Sequence, residues 1–384
     1  MRIALSTLAS LFVVTALCVT ATRAGPPQEA ELAPFLGTPA FETQQVYSQE
    51  RHPNVAVATD GTVLVTLGNS RLLVRRSSDG GKTFGPPIVI ADPGFQSGGL
   101  TVDETTGDII AFAEAKHPPA KLGIYRSGDH GKTWNRQPTQ IAPDKLGNTP
   151  SMHMNEHGIT LRHGAHAGRL LRPARFYGDG NRPEEYSNHY TTAIYSDDGG
   201  KTWETSDPFP ENGTGEATVA ELSDGKIYYN TRCHWDQNPQ HTRRRSAMSH
   251  DGGVSWKDFD VVEILPDGLQ HRAYGCMGGL VRLPVAGRDI LLFSNIDAKG
   301  EQRKRVTVWA SFDGGKTWPL KRLIEPGPSA YSSLNAGRPG TASEGWVYIH
   351  YESGRGSKLA RFNLEWLLGG GATGDGRVPE EFSR

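Results

Sequence analysis

Hydrophobic and polar residues alternate along most of this chain in short runs, and each run ends at a turn rich in Gly and Asp. The stretches VAVATDGTVLVTL, LTVDETTGDIIAF and ATVAELSDGKIYYNT begin at Val55, Leu100 and Ala217 and show this pattern. A period of two with β-branched and aromatic residues, broken by D-G turns, predicts paired β-strands. No helical stretch of three turns is predicted in the middle of the chain, so the predicted fold class is all-β.

Five of the turns share the motif S-x-D-x-G-x-x-W/F, and its copies begin at Ser77, Ser127, Ser196, Ser249 and Ser311. In each copy we expect the Asp to accept hydrogen bonds from backbone N–H groups of its own turn. The fifth-position Gly permits a positive φ, and the closing Trp or Phe should pin the hairpin to its neighbours. Repeats of about four short strands at this spacing predict a β-propeller, here with six blades. Because a catalytic motif is needed only once, the five Asp residues are interpreted as structural.

The two ends of the chain differ from this repeated middle. Residues 1–24 combine Arg2, a largely apolar stretch and the small-residue sequence Thr22-Arg23-Ala24, which is typical of a cleaved signal peptide. The alternative is a membrane anchor, although the stretch is near the lower length limit for a span. We therefore predict a signal peptide over 1–24, a Pro-rich lead-in over 25–43, a propeller over 44–368 and a flexible tail over 369–384. The expected location is secreted or periplasmic.

Charge and composition narrow the classes of partner. The 384-residue chain has a formal net charge of -1, which gives no electrostatic reason to expect nucleic-acid or membrane partners, and a monomer is expected. Without Cys18, the remaining Cys233 and Cys276 could form one disulfide or stay as buried thiols. No cluster with metal-ligand spacing and no phosphate-binding glycine loop is found, so no metal or other cofactor is predicted.

Single residues then suggest a chemistry. The segment GEATVAELSDGKIYYNTR places Glu216 five residues before E-L-S-D-G and ends in Arg232, the segment AYSSL contains Tyr331, and GWVYIHYESG contains Glu352. With the five turns, these segments make nearly the whole mature chain resemble the sialidase (neuraminidase) superfamily of exo-α-sialidases, whose turn motifs are called Asp-boxes. The resemblance implies a six-bladed β-propeller of sialidase type and a hydrolase that releases sialic acid from glycoconjugates.

The resemblance also implies roles for these residues. Tyr331 would be the nucleophile and Glu216 its base. Arg51 in RHPNVAV, Arg232 and a third arginine would bind the substrate carboxylate, with Glu352 orienting Arg51. The family pattern selects Arg303 as the third arginine, two residues before the rival Arg305. A neutral phenol suits this substrate because a carboxylate nucleophile would be repelled by the sugar's own acid group; the tyrosine nucleophile is a known exception among glycosidases.

One part of the family pattern is missing. The family places an acid/base Asp between the first hairpin and the first Asp-box, but this chain has no Asp or Glu between Asp60 and Asp79, and Asn69 lies there instead. Several other residues could supply the proton: His52, Asp92, Glu114, His117, Glu156 and His157. Alternatively, the protein could hydrolyse another 2-keto sugar acid (ulosonic acid), or only bind glycans.

Overall fold

The computed structural model describes residues 29–49, 51–95, 99–138, 140–178, 180, 182–238, 243–267, 275–298 and 302–382. The predicted signal peptide lies outside the described residues. The first strand, β1 (Phe41–Tyr47), joins the sheet formed by the end of the chain, so the two ends of the fold meet. Among the described residues, no helix is long and apolar enough to cross a membrane.

Four sheets follow β1, each made of four consecutive antiparallel strands. Their strands are β2 (Pro53–Val57), β3 (Val63–Gly68), β4 (Leu72–Ser77) and β5 (Ile88–Ala91); β6 (Thr101–Val102), β7 (Ile109–Glu114), β8 (Leu122–Ser127) and β9 (Asn135–Gln137); β10 (Ile159–Thr160), β11 (Leu170–Phe176), β12 (Tyr190–Ser196) and β13 (Glu204–Thr205); β14 (Thr214–Glu221), β15 (Ile227–Cys233), β16 (Arg243–Ser249) and β17 (Lys257–Pro266).

The last strands form one eight-stranded sheet that also contains β1. Its other members are β18 (Gly279–Arg282), β19 (Leu291–Ile296), β20 (Lys304–Ser311), β21 (Leu320–Ala336), β22 (Val347–Ser353), β23 (Gly356–Phe362) and β24 (Gly371–Ala372). The long strand β21 pairs with β20 through Leu320–Pro328 and with β22 through Ser329–Ala336. The first half of β21 therefore pairs with β20, and its second half pairs with β22.

The sheets close into a ring around a central channel. The innermost strands contact one another in the order β2, β6, β10, β14, β18 and β21, and β21 returns to β2. The all-β prediction and the β-propeller prediction are confirmed. Outside the strands lie the short helix α1 (Leu364–Leu368) and 3-10 helices at Ala33–Phe35, Gly164–His166, Pro183–Asn188 and Glu380–Phe382.

The five Asp-box turns have the predicted structure. In the second copy, Asp129 Oδ1 accepts hydrogen bonds from the backbone N–H groups of Lys132 at 3.0 Å and Thr133 at 2.9 Å, and from the Ser127 hydroxyl at 2.8 Å. The fifth-position glycines all have φ between 81° and 90°. Trp203, which closes the third copy, is 1% exposed and packs with Phe112 of the preceding sheet. Each box joins the third strand of its sheet to the fourth.

The ends of the chain are more closely packed than predicted. Phe35 in the lead-in and Phe382 in the tail are buried in the same apolar cluster. Strand β24 pairs with β21, and the Asp375 carboxylate accepts a hydrogen bond from the Trp318 backbone N–H at 2.8 Å. Apolar side chains cover the sheet at both ends, which explains the difference from the loose lead-in and the flexible tail expected there.

Candidate active site

The buried pair of Tyr331 and Glu216 lies at one end of the channel. The Tyr331 hydroxyl donates a hydrogen bond to Glu216 Oε1 at 3.0 Å, although the two residues are 115 positions apart. Tyr331 is 2% exposed and Glu216 is fully buried. Each residue stands at an irregularity of strand pairing, in β21 between Ser329 and Ser332 and in β14 between Thr214 and Ala217. Such irregularities redirect side chains and are frequent next to active sites.

Electrostatics assign different protonation states to the two groups. Burial raises the pKa of Tyr331 to about 12, and the neighbouring charge of Glu216 acts in the same direction. Burial alone would raise the pKa of Glu216, but the guanidinium groups of Arg232 and Arg175 outweigh it and hold this pKa below the ordinary value. At neutral pH the site therefore contains a neutral phenol hydrogen-bonded to a carboxylate, which is the arrangement that a general base and its nucleophile require.

Three arginines converge on this pair from different sheets. Arg232, on β15, donates from Nη1 to Glu216 Oε2 at 2.7 Å. The guanidinium carbons of Arg303 and Arg51 lie 4.8 and 5.3 Å from the centre of the Tyr331 ring. Arg305 is exposed on β20 and is not part of this group. The structure thus brings together Arg51, Arg232 and Arg303, which the sequence selected from segments far apart in the chain.

The arginines offer more hydrogen-bond donors than the surrounding protein uses. Arg303 donates from Nη2 to the Gly275 carbonyl at 2.8 Å. The buried Nε–H groups of Arg232 and Arg303 have no hydrogen-bond partner among the described residues. Buried donors without partners are rare in folded proteins and call for an explanation. An anion placed between these guanidinium groups would satisfy them.

Glu352 lies on the same side of the ring, at the end of β22. Its Oε1 accepts a hydrogen bond at 3.2 Å from the backbone N–H of His52, the residue after Arg51. Arg51 and His52 both have positive φ values, of 110° and 51°, which are costly for residues other than glycine. Glu352 therefore anchors a strained turn that presents Arg51 to the site.

Sequence reasoning missed a cluster of aromatic and basic residues beside Tyr331. The His52 and Tyr331 rings are centred 4.9 Å apart, and His153 lies 6.1 Å beyond His52. Five of the thirteen histidines belong to this cluster, and they come from separate connections and strand ends: His52, His117, His153, His189 and His234. In the part of the chain that the structure describes, no group of three or more His, Cys, Asp or Glu residues could hold a metal ion.

Arg175 lies at the centre of this cluster. Its guanidinium carbon is 3.9 Å from the centre of the Tyr177 ring, and its Nη2 lies 3.4 Å from His189 Nδ1 and 3.2 Å from His234 Nδ1. His234 Nε2 in turn lies 4.0 Å from Glu216 Oε2. Arg175 adds another buried cation near Glu216. Its strand β11 contains two arginines, Arg172 and Arg175, and nothing in the sequence singles out Arg175.

The other candidate proton donors lie in different settings. Asp92 is exposed after β5. Glu156 Oε1 is bound by the Ser333 hydroxyl at 2.5 Å, by the Leu334 backbone N–H at 3.1 Å and by His157 Nδ1 at 3.1 Å, so this carboxylate links the innermost strands. His52, Glu114 and His117 remain close to the aromatic cluster.

Cys233 and Cys276 are buried thiols, and they do not form a disulfide. Burial raises the pKa of both thiols to about 12, so neither is a nucleophile at neutral pH. Cys276 lies near the arginines, while the Cys233 backbone N–H donates to the buried Asp267. The alternative of two buried thiols, left open by the sequence, is the one that the structure contains.

Comparison with known proteins identifies the family. The family model described as "BNR repeat-like domain" matches residues 99–343, which include Glu216, Arg232, Arg303 and Tyr331. The chain belongs to this family.

Relatives of this BNR repeat-like chain include proteins named sialidase. The one from Micromonospora viridifaciens is 29% identical over 91% of this chain and 58% of its own length. The one from Bacteroides fragilis is 28% identical over 68% of this chain and 51% of its own length. The chain thus spans little more than half of the length of these relatives.

Solved structures support the fold of this BNR repeat-like chain. A Hadza microbial sialidase is 25% identical, with a TM-score of 0.62 over 83% of this chain and 66% of its own. The intramolecular trans-sialidase from Ruminococcus gnavus has a TM-score of 0.63 over 85% of this chain and 98% of its own, and at 16% identity it shows the shared fold alone.

Proposed function

We propose that this protein is a retaining exo-α-sialidase that releases terminal sialic acid from glycoconjugates. The observation that carries the proposal is the Tyr331–Glu216 hydrogen bond of 3.0 Å inside a group of three arginines. A protein that only binds glycans has no need of a phenol paired with a buried base. The relatives named sialidase support the same conclusion.

The arginines explain the choice of substrate. A sialic acid carries a carboxylate on its anomeric carbon, and Arg51, Arg232 and Arg303 bind that group in this proposal. The unsatisfied Nε–H groups of Arg232 and Arg303 supply donors for it. Charge-assisted hydrogen bonds to a planar carboxylate suit arginine better than lysine, because the guanidinium presents paired donors in a fixed plane.

Tyr331 and Glu216 perform the covalent chemistry in two steps. The Tyr331 oxygen attacks the anomeric carbon while its proton passes to Glu216, and the bond to the leaving-group oxygen breaks. Water then attacks the same carbon, the bond to Tyr331 breaks, and Glu216 returns the proton to the phenol. Two displacements at one carbon give net retention of configuration.

The proposal includes a six-bladed ring and a secreted protein. We count β21 as the outer strand of one blade and the inner strand of the next, which divides the eight-stranded sheet into two blades closed by β1. The signal peptide proposed over residues 1–24 would bring the enzyme, as a monomer, to sialylated glycans outside the cytoplasm.

A second candidate has one observation in its favour. The connection between β3 and β4 is only Asn69 to Arg71 and holds no acidic residue. An enzyme for a related ulosonic acid, with the same Tyr331, Glu216 and arginines but a different proton donor, would account for this difference.

The test compares wild type with Tyr331→Phe on a fluorogenic α-sialoside. We expect turnover by wild type and a loss of at least about a hundredfold in the variant, because the covalent nucleophile is gone. Tyr348→Phe is the matched control, since it removes another buried hydroxyl, one that donates to the Gly80 carbonyl far from the site. Equal activity of wild type and Tyr331→Phe would remove Tyr331 from the mechanism. Sialic acid binding without turnover by wild type would favour a glycan-binding protein.

A further inference from the structure

We infer that His117 is the group that exchanges a proton with the leaving-group oxygen and with the attacking water. This inference rests on the proposed glycosidase function, which as described lacks such a group. The position of His117 in the ring, the hydrogen bonds of the neighbouring histidines and the unused Nε2 of His117 point to this role.

His117 lies in the connection that corresponds to the one lacking an acid. The β3–β4 connection joins the second and third strands of its sheet, and His117 lies in the β7–β8 connection, which joins the second and third strands of the next sheet. Antiparallel strands alternate in direction, so these connections share one end of the ring. The Asp-boxes join third to fourth strands and lie at the other end. Inner strands β2 and β6 are in contact, so the two sheets are neighbours.

Three histidines of the cluster face arginine guanidinium groups. A guanidinium only donates hydrogen bonds. The nitrogens that face one must therefore be acceptors: His52 Nε2 at 3.2 Å from Arg51, and His189 Nδ1 and His234 Nδ1 at 3.4 and 3.2 Å from Arg175. A second proton on any of these rings would place a ring N–H against a guanidinium N–H, and two donors repel each other. These three residues cannot cycle through a protonated state without breaking those contacts.

His117 has the opposite arrangement. Its Nδ1 lies 2.9 Å from the Pro118 carbonyl oxygen, which only accepts, so Nδ1 carries a proton. Its Nε2 has no hydrogen-bond partner among the described residues. That nitrogen can gain or lose a proton while the bond to Pro118 stays intact. The His117 residue is partly exposed although its Nε2 atom is buried, whereas the His153 residue beside it is fully buried.

The surroundings place the ring at the edge of the aromatic cluster. The His117 ring is centred 4.8 Å from His153 and 5.1 Å from Tyr177, in edge-to-face geometry. Burial lowers the pKa of His117, and the charge of Arg175 lowers it further. A group that titrates below its ordinary value near 6.5 can still donate at acidic pH and accepts a proton readily at neutral pH.

His117 exchanges one proton in each of the two displacements. Protonated His117 gives its Nε2 proton to the leaving-group oxygen as the bond to the anomeric carbon breaks and the bond to Tyr331 forms. Neutral His117 then takes a proton from water as the water oxygen attacks that carbon and Tyr331 leaves. The ring returns to its protonated form. The alcohol and the free sugar acid are the products, and no other reactant is needed.

Glu114, at the end of β7, is the rival donor. It is 1% exposed, its Oε1 accepts from the Ser151 hydroxyl at 2.8 Å and from the Met152 backbone N–H at 2.9 Å, and burial raises its pKa. This carboxyl group fastens the connection before β10 to the strand. Its Oε2 has no hydrogen-bond partner among the described residues, but the two hydrogen bonds at Oε1 hold this carboxyl group in place, and we assign it a structural role.

The experiment measures how much activity depends on the leaving group. His117→Asn keeps a donor for the Pro118 carbonyl but removes the titrating nitrogen. We expect at least about a hundredfold loss on an α-sialoside with a sugar alcohol as leaving group, which needs protonation. On 4-nitrophenyl α-sialoside, the burst of nitrophenol should persist within about tenfold, and sodium azide should accelerate turnover and yield sialyl azide. His250→Asn, at an exposed Asp-box histidine, is the control and should behave as wild type.

The outcomes separate the inference from the proposed function. Equal losses of His117→Asn on both substrates, without azide acceleration, would show a structural role and overturn the inference. The same is true if Glu114→Gln, and not His117→Asn, shows dependence on the leaving group and azide acceleration. Wild type and Tyr331→Phe with equal activity would instead refute the proposed mechanism, and the role of His117 fails with it.

Discussion

The carboxylates of the Asp-boxes and the carboxylate of Glu216 contrast in where their partners come from. Asp129 is partly exposed, and its partners Ser127, Lys132 and Thr133 all lie within four residues of it in the chain. Glu216 is fully buried, and its partner Tyr331 comes from a different sheet. The Asp129 carboxylate completes its own turn, whereas Glu216 gains its partner Tyr331 only when the ring of sheets has closed.

The same contrast appears in their titration. Partial burial would raise the pKa of Asp129, but hydrogen bonds from Thr133, Ser127 and Lys132 lower it to about 2. The pKa of Glu216 is lowered chiefly by the charges of Arg232 and Arg175 against a large cost of burial. Local hydrogen bonds can be repeated five times along a chain, whereas a buried charge held by distant cations is built once. Repetition marks structure, whereas a buried carboxylate that pairs with a phenol and with distant cations marks a candidate for chemistry.

The largest effect is expected for Glu216→Gln. An amide cannot take the Tyr331 proton, so kcat should fall by about a hundredfold or more, with the fold retained. Glu221→Gln is the matched control on the same strand. Glu221 accepts from the backbone N–H groups of Arg162 and His163 and does not contact Tyr331, so this variant should keep its activity.

The pH profile sharpens this prediction. The ionised form of Glu216 is the base, and its pKa lies below the ordinary 4.5, so the acidic decline of kcat/KM that belongs to Glu216 should lie below pH 4.5. Above that pH the base is present throughout. A decline assigned to Glu216 near pH 6 would show that the arginines do not hold the carboxylate as described.

Much of the fold and part of the site could be predicted from sequence, because their signals are local or belong to spaced motifs. The five Asp-boxes predicted the β-propeller and the structural, non-catalytic role of Asp129. Glu216, with its fixed distance to E-L-S-D-G and to Arg232, and Tyr331 in AYSSL could be selected although no contact between them is visible in the sequence.

The remainder depends on ring closure. His52, His117 and His153 lie in unrelated connections, and nothing in their local sequence distinguishes them from the other histidines. The pairing of β21 with both β20 and β22 could not be predicted either, because the length of this strand depends on its two partner strands. The packing of the tail depends on apolar surface left open by the last sheet.

A smaller effect separates the two candidate third arginines. Arg303→Lys should reduce kcat/KM on an α-sialoside by about tenfold to a hundredfold, mostly through KM, because an ammonium replaces the planar group over Tyr331. Arg305→Lys, two residues further on and exposed, should stay within about twofold. The opposite ranking of the two variants would mean that the third carboxylate ligand is Arg305 and that the site must rearrange to bind substrate.

The smallest effect is expected at an Asp-box. Asp129→Ala leaves the backbone N–H groups of Lys132 and Thr133 to water, and we expect the free energy of unfolding to fall by roughly 1 to 2 kcal/mol with activity unchanged. Lys132→Ala keeps the backbone donor and should cost less than about 0.5 kcal/mol. Since the folded-state pKa of Asp129 is depressed to about 2, its contribution is present above the ordinary value of 3.8 and is lost as pH falls toward 2. Urea unfolding should therefore show wild type and Asp129→Ala converging as the pH is lowered over that range. A difference in unfolding free energy that persisted at pH 2 would contradict this account of Asp129. A loss of catalysis by Asp129→Ala at neutral pH would contradict the division between the structural carboxylates of the turns and the catalytic carboxylate of Glu216.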